Sequence, residues 1–185
     1  VPATAAGVFT KNRVVSPGVT WSRRALAKSG GCRAIVVNSG NANAVVGPKG
    51  LKDCDTITKK IAEELSIPQK EVLMASTGVI GVPLPSYKIL QAARQLAQKL
   101  GRTAKNWTDA SEAIMTTDLV SKSDKVSYNY KGHRIVIGGM TKGSGMIHPN
   151  MATMLCFVAT DAAVEQNFLR SILPDIADST LNMLD

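Results

Sequence analysis

At 185 residues, with 44% hydrophobic and 19% charged side chains, the chain is long enough to bury one real core and too apolar for disorder. Its net charge of +8, from 22 basic and 14 acidic residues, is scattered (Arg23-Arg24, Lys59-Lys60, Lys99, Arg102, Lys105), and with three Phe, three Tyr and two Trp it excludes a nucleic-acid surface of clustered charge and stacking aromatics. It reads as a solvated basic surface that also draws in carboxylate substrates, while no apolar run approaches the ~20 residues that span a bilayer and Val1-Pro2-Ala3-Thr4 has no signal or transit pattern.

Cys32 to Asn38, CRAIVVN, is a short apolar run rich in β-branched residues, which predicts a buried strand ending in the polar loop Asn38-Ser39-Gly40-Asn41. Asp53 to Leu65 carries Ile57, Ile61 and Leu65 at helical spacing, with Pro68 as the stop. Glu71 to Ser76 reads as a second strand, followed by a turn at Thr77-Gly78. Ser86 is expected to cap a helix whose apolar face runs Ile89, Leu90, Ala93, Leu96, Ala97 and Leu100 before Gly101. A further helix is expected over Asp109 to Met115. Lys125 to Tyr130 and His133 to Gly138 flank Lys131-Gly132 as a β-hairpin. Thr153 to Ala159 is an apolar strand, and Asp161 is expected to cap a helix running to Leu173, with Pro174 as its breaker. Strands and helices that alternate in pieces, with a hairpin among them, predict an α/β fold of mixed sheets packed with helices rather than a purely parallel doubly wound one.

Cys32, Cys54 and Cys156 are odd in number and lack CxxC spacing, which argues for a reducing compartment and against a zinc site. Cys156 lies in the apolar run LCFVA and reads as a structural thiol. Gly138 to Ser144 lacks the Lys-Ser/Thr of a P-loop, and the glycines at 139, 143 and 145 do not form GxGxxG. No cofactor or metal is expected.

The run from Gly139 to Asp161, GMTKGSGMIHPNMATMLCFVATD, carries the sharpest chemistry. It sets Ala152 and Thr153 between a glycine-rich turn and an apolar strand. Cleavage between them would free the α-amine of Thr153, whose pKa of ~7.7–8.0 makes it a built-in base for its own hydroxyl. On residues alone, the commoner reading is a Gly-rich turn feeding a buried strand.

KGSGMIHPNMATML resembles the cleavage motif of the ornithine acetyltransferase family, the bifunctional glutamate N-acetyltransferases of arginine biosynthesis. VPATAAGVFTKN at the start, VVNSGNANA at 36–44 and MASTGVIGVPLP at 74–85 are similar to the same family in the same order. The resemblance implies a self-processing, N-terminal-nucleophile-like fold. It implies an amino-terminal segment 1–152, truncated at its start, and the opening 153–185 of a second segment that continues past Asp185 and completes the pocket. Thr153 is then cleavage nucleophile and acyl carrier, with acetyl passing from N-acetylornithine to glutamate, acetyl-CoA being a further donor in bifunctional members. The implied mature assembly is a heterotetramer of two α and two β segments, cytoplasmic or organellar, with no nucleic-acid or membrane partner. Val45-Val46 departs from the Cys-Thr common in the family, a difference that touches packing more than chemistry.

Thr77 and Gly78 present amides and a hydroxyl at a strand-to-turn junction, as an oxyanion hole requires; without the family a tight turn is the commoner reading. Lys142 would ordinarily be a solvated loop charge, and the resemblance makes it a substrate-binding group. Thr116, in AIMTTD, is similar to a substrate-contacting segment, against the plainer role of a helix-end hydroxyl. Asn38, Ser39, Asn41 and Asn43 read as scaffolding, and His133 and His148 receive no role because no orienting carboxylate accompanies them. Two other functions compete: a self-processing threonine amidohydrolase or aminopeptidase in which water takes the acyl group, and an inactive binding fragment.

Overall fold

The computed structural model describes residues 2–144 and 154–183. Its elements in chain order are β1 (Ala3–Thr4), α1 (Pro17–Ser29), β2 (Gly31–Cys32), β3 (Ala34–Asn38), α2 (Pro48–Leu65), β4 (Val72–Ser76), α3 (Ser86–Gln98), α4 (Ala104–Ala113), β5 (Lys122–Tyr130), β6 (His133–Lys142), β7 (Leu155–Thr160) and α5 (Gln166–Ser179). Among the described residues the sheets are mixed in kind. β3 and β4 pair in parallel, with α2 between them in sequence; β1 and β2 form a short antiparallel pair; β5, β6 and β7 form an antiparallel sheet.

The core lies where α2 meets the parallel pair. Ile57, Cys54 and Val72 are fully buried there among Val36, Ile61, Met74, Leu84 and Ala93. A two-stranded sheet leaves unpaired backbone groups at its edges, and α1 covers one of them with side chains. Trp21 Nε1 donates to the Val72 carbonyl at 3.0 Å, while Ser22 Oγ donates to Met74 O at 2.8 Å and accepts from Met74 N at 3.0 Å. Gly18 lets the helix come this close, since a Cβ there would stand 3.3 Å from Met74 O.

The strands at Cys32–Asn38 and Glu71–Ser76 and the hairpin stand as the sequence predicts, with β3 and β4 each starting a residue or two later. Lys131 and Gly132 both have positive φ, 48° and 80°, which closes the hairpin in the two-residue turn that matches strand twist. The helix boundaries need correction. α1 was not foreseen, although Ser16 caps it, Pro17 opens it and Gly30 at φ 67° ends it. α2 starts at Pro48, five residues before the periodic stretch, because proline fits the first helical position. Ser86 does not cap α3: it is the first helical residue, and its hydroxyl donates to Asp53 Oδ1 at 3.0 Å, tying α3 to α2. α3 stops at Gln98 rather than at Gly101, which instead leaves room for Asn106, 2.2 Å from where a Cβ would sit. Asn106 and Thr103 form the capping box that starts α4 five residues ahead of the expected Asp109. α5 is capped by Glu165, and Asp161 accepts from Val136 N at 2.8 Å at the end of the β6–β7 ladder. Pro174 sits inside α5 and removes one ladder bond without ending the helix.

Candidate functional site

Parallel pairing delivers the ends of β3 and β4 to the same place, Asn38 lying opposite Ser76, and strand ends of this kind are where α/β folds gather ligands. The two loops that leave there are laced together. Ser76 Oγ donates to Asn38 Oδ1 at 2.6 Å, Thr77 N to Asn38 O at 3.0 Å, Val79 N to Gly40 O at 3.2 Å and Ala42 N to Val79 O at 2.9 Å. The asparagines work inside this lacing, in agreement with their scaffolding role. Asn38 Nδ2 donates to Asn41 O, Asn41 Nδ2 to Val82 O, and the buried Asn43 Nδ2 to Gly50 O.

Gly78 is the tightest point of the lacing. Its φ is +131°, and a Cβ would stand 2.3 Å from the Gly40 carbonyl carbon and 2.5 Å from Asn41 N, both backbone atoms that cannot step aside. The Thr77 amide is committed to Asn38. The Thr77 hydroxyl makes no hydrogen bond among the described residues, which leaves it a free donor at the end of β4.

The second cluster lies between α4 and the end of β6. Lys142, 6% exposed, donates from Nζ to Thr116 Oγ1 at 3.0 Å. Burial pushes its ammonium below the ordinary lysine range; the negative charge of Asp118 opposes that and the positive charge of Lys122 adds to it. Asp118, whose side chain is fully buried, accepts from Lys122 Nζ at 2.6 Å, Gly143 N at 2.9 Å and Thr116 N at 3.2 Å. Burial by itself would raise its carboxyl, but the Lys122 bond and the two amides outweigh burial and hold it well below the usual carboxylate range. The Thr117 and Ser144 hydroxyls share a 3.0 Å hydrogen bond beside this cluster.

One contact bridges the two clusters: Ser39 Oγ, in the β3 loop, donates to Ala113 O at the end of α4, 2.9 Å away and 74 positions on. Thr116 and Lys142 are thus brought into direct contact, and Thr77 and Gly78 are tied to the same neighbourhood through Ser39. Ala152 and Thr153 lie outside the described residues, as does His148; Met154, next in sequence after Thr153, packs beside Gly143, 3.8 Å from where a Cβ would sit. His133 pairs with Tyr130 at the far end of the hairpin. Cys156 is half-buried, burial raising its thiol against a bond from Thr141, and the buried Cys54 thiol is pushed up to about 12 by burial and by Asp53. Asp118 is a joint of the site that the sequence reading does not single out, and Ser39 serves the scaffolding role read for it with a partner that reading does not name. Asp118 had one signal, the i,i+4 spacing to Lys122; Ser39 had none, because its partner is a backbone carbonyl far along the chain.

Comparison with protein families matches residues 1–185 to the ArgJ family. The arginine biosynthesis bifunctional protein ArgJ of Caldanaerobacter subterraneus subsp. tengcongensis is 47% identical over 98% of this chain and 44% of that protein, and that of Thermotoga neapolitana is 45% identical over 100% and 46%. The chain therefore spans a little under half the length of these relatives. Among solved structures, arginine biosynthesis bifunctional protein ArgJ from Bacillus halodurans superposes with a TM-score of 0.76 at 38% identity, covering 84% of this chain and 78% of that one. Ornithine acetyltransferase from Mycobacterium tuberculosis, solved in complex with ornithine, gives 0.67 at 34% identity, covering 78% and 75%.

Proposed function

The chain belongs to the ArgJ family, and on that premise we propose that it carries the nucleophile and part of the pocket of an enzyme that moves an acetyl group from N-acetylornithine to glutamate. The observation that carries this reading is the buried Lys142 ammonium bonded to Thr116, at the strand end that leads into the segment containing Ala152-Thr153. A buried cation with a neutral hydroxyl as its hydrogen-bond partner suits the carboxylate of an amino-acid substrate.

Two reactions share one oxygen. Thr153 Oγ attacks the Ala152 carbonyl, the amide shifts to an ester, and water hydrolyses the ester, leaving a carboxylate on Ala152 and a free α-amine on Thr153. That amine then takes the proton from its own hydroxyl as Oγ attacks the acetyl carbonyl of N-acetylornithine. The Gly78 amide and Thr77 hydroxyl stabilise the oxyanion, the proton passes to the leaving amine, and ornithine departs. The α-amine of glutamate attacks the acetyl-threonine ester and carries the acetyl group away. The relative lengths support the cut: the two solved chains, each covered over about three quarters by this chain, are close to it in length, whereas the curated relatives are more than twice as long. In the mature enzyme the segments assemble as two α and two β chains in the cytoplasm or an organelle; among the described residues no helix is long and apolar enough to cross a membrane.

Mass spectrometry of the full-length protein tests the reading. A segment beginning at Thr153 and, after brief exposure to N-acetylornithine, one acetyl group on that threonine are expected, and Thr153→Ala should abolish both. Acetylation on Cys156, or full activity in an uncut Thr153→Ala protein, would refute it. Ornithine release without formation of acetylglutamate would move the assignment to a hydrolase.

A further inference from the structure

Resting on the reading of Thr116 and Lys142 as substrate groups, we propose that Asp118 is the positioning residue of that site: its carboxylate holds the chain on both sides of Lys142 and keeps the ammonium available to an incoming carboxylate. The Asp118 carboxylate accepts from Thr116 N and from Gly143 N, so one buried group clamps the residue that hydrogen-bonds Lys142 and the residue that follows Lys142 in sequence. Those two backbones follow different elements, Thr116 after α4 and Gly143 after β6, and sheet pairing does not fix them: β5 begins at Lys122 and β6 ends at Lys142.

The charge arrangement points the same way. Asp118 is neutralised from outside by Lys122, which is 39% exposed and ion-paired at 2.6 Å. Lys142 has no ion pair among the described residues, and its described hydrogen-bond acceptor is the Thr116 hydroxyl. A carboxylate paired directly with Lys142 would fill the place a substrate needs. Satisfied by Lys122 and two amides, Asp118 instead lends Lys142 a nearby negative charge while leaving its remaining N–H donors uncommitted among the described residues. A buried ammonium without a counter-ion is costly, and a bound substrate carboxylate repairs that cost.

Full-length protein carrying Asp118→Asn, Asp118→Glu or Lys142→Ala provides the test, with KM and kcat for N-acetylornithine, thermal melting, and the titration of Lys142 followed by NMR of lysine labelled at the ε-carbon. Asp118→Asn is close in shape but uncharged; Asp118→Glu keeps the charge and displaces it by one methylene. Both should raise KM about ten-fold or more, the loss expected of a charge-assisted contact, with a smaller change in kcat. In Asp118→Asn the groups facing Lys142 change from Asp118 and Lys122 to Lys122 alone, so its titration should move to lower pH and KM should begin to climb at a lower pH. A merely structural carboxylate would lower the melting temperature and the active fraction while leaving KM and the Lys142 titration in place. If Asp118→Asn does not fold, Asp118→Glu decides by its KM. Folded Asp118 variants with the unmodified KM and Lys142 titration, alongside a Lys142→Ala protein with raised KM, would overturn the proposal. An unchanged KM in Lys142→Ala would instead remove the reading on which it rests.

Discussion

Replacing Gly78 by alanine forces a methyl group into the backbone of the neighbouring loop, and the consequence for turnover can be worked from distances. The new Cβ would sit 2.3 Å from the Gly40 carbonyl carbon, whereas ordinary contact begins near 3.4 Å, so the turn and the 38–43 loop must part by about 1 Å. Holding a non-glycine residue at φ +131° costs about 1–3 kcal/mol, and loss of the flanking Thr77–Asn38 and Val79–Gly40 bonds adds about 1 kcal/mol each. The total of about 3–5 kcal/mol is below the stability of an ordinary domain, so the variant should fold at 25 °C with a lower urea midpoint. Its oxyanion donor, displaced by about 1 Å, should lower kcat roughly 10²-fold with little change in KM. Gly81→Ala is the control. It shares the positive φ, +81°, but has nothing within 4 Å of its Cβ, so it should cost about 1 kcal/mol and leave kcat within a few-fold. The assay is acetyl transfer from N-acetylornithine to glutamate by the full-length protein, with acetyl-threonine occupancy measured in parallel. A Gly78→Ala protein of confirmed lower stability and unmodified kcat would show that the turn is a clamp and that Gly78 does not position an oxyanion donor.

Lys142→Ala should raise KM for N-acetylornithine while impairing self-cleavage less, read from initial rates and from mass spectrometry of the cleaved segments. Because burial depresses Lys142, its ammonium is lost on the alkaline side below the usual lysine pKa of about 10.4; KM should rise with pH through that window in the unmodified protein and stay flat there in Lys142→Ala. Ser22→Ala removes the hydroxyl that satisfies both Met74 N and Met74 O. Urea unfolding should show a loss of about 2 kcal/mol or more, and a loss below about 0.5 kcal/mol would mean that water takes over at that strand edge.

Local signals in the sequence determined strands β3 and β4, the hairpin and much of the helix content, because each rests on near neighbours: short apolar runs at 34–38 and 72–76, the first rich in β-branched residues, and the Lys131-Gly132 turn. Helix ends were legible too but were misread where apolar periodicity was followed in place of caps; Ser16-Pro17, Pro48 and Thr103-x-x-Asn106 each announce a start several residues before the apolar face begins. Thr77, Gly78, Thr116 and Lys142 could be named from the sequence through family motifs, yet nothing in their spacing says that Lys142 meets Thr116 across 26 positions. That meeting is decided by the hairpin, which carries Lys142 back toward the end of α4, and by the buried Asp118, whose importance lies in the backbone amides of Thr116 and Gly143 that it reaches from distant stretches of chain. Ser39 makes the same point: a serine in a polar loop has many local partners to choose from, and only the meeting of the β3 loop with the end of α4 selects the Ala113 carbonyl. Contacts at short separation follow from propensity and periodicity, which any stretch of chain carries within itself; contacts between distant positions follow from how faces bury one another, and the residues that join two such faces carry no local mark of it.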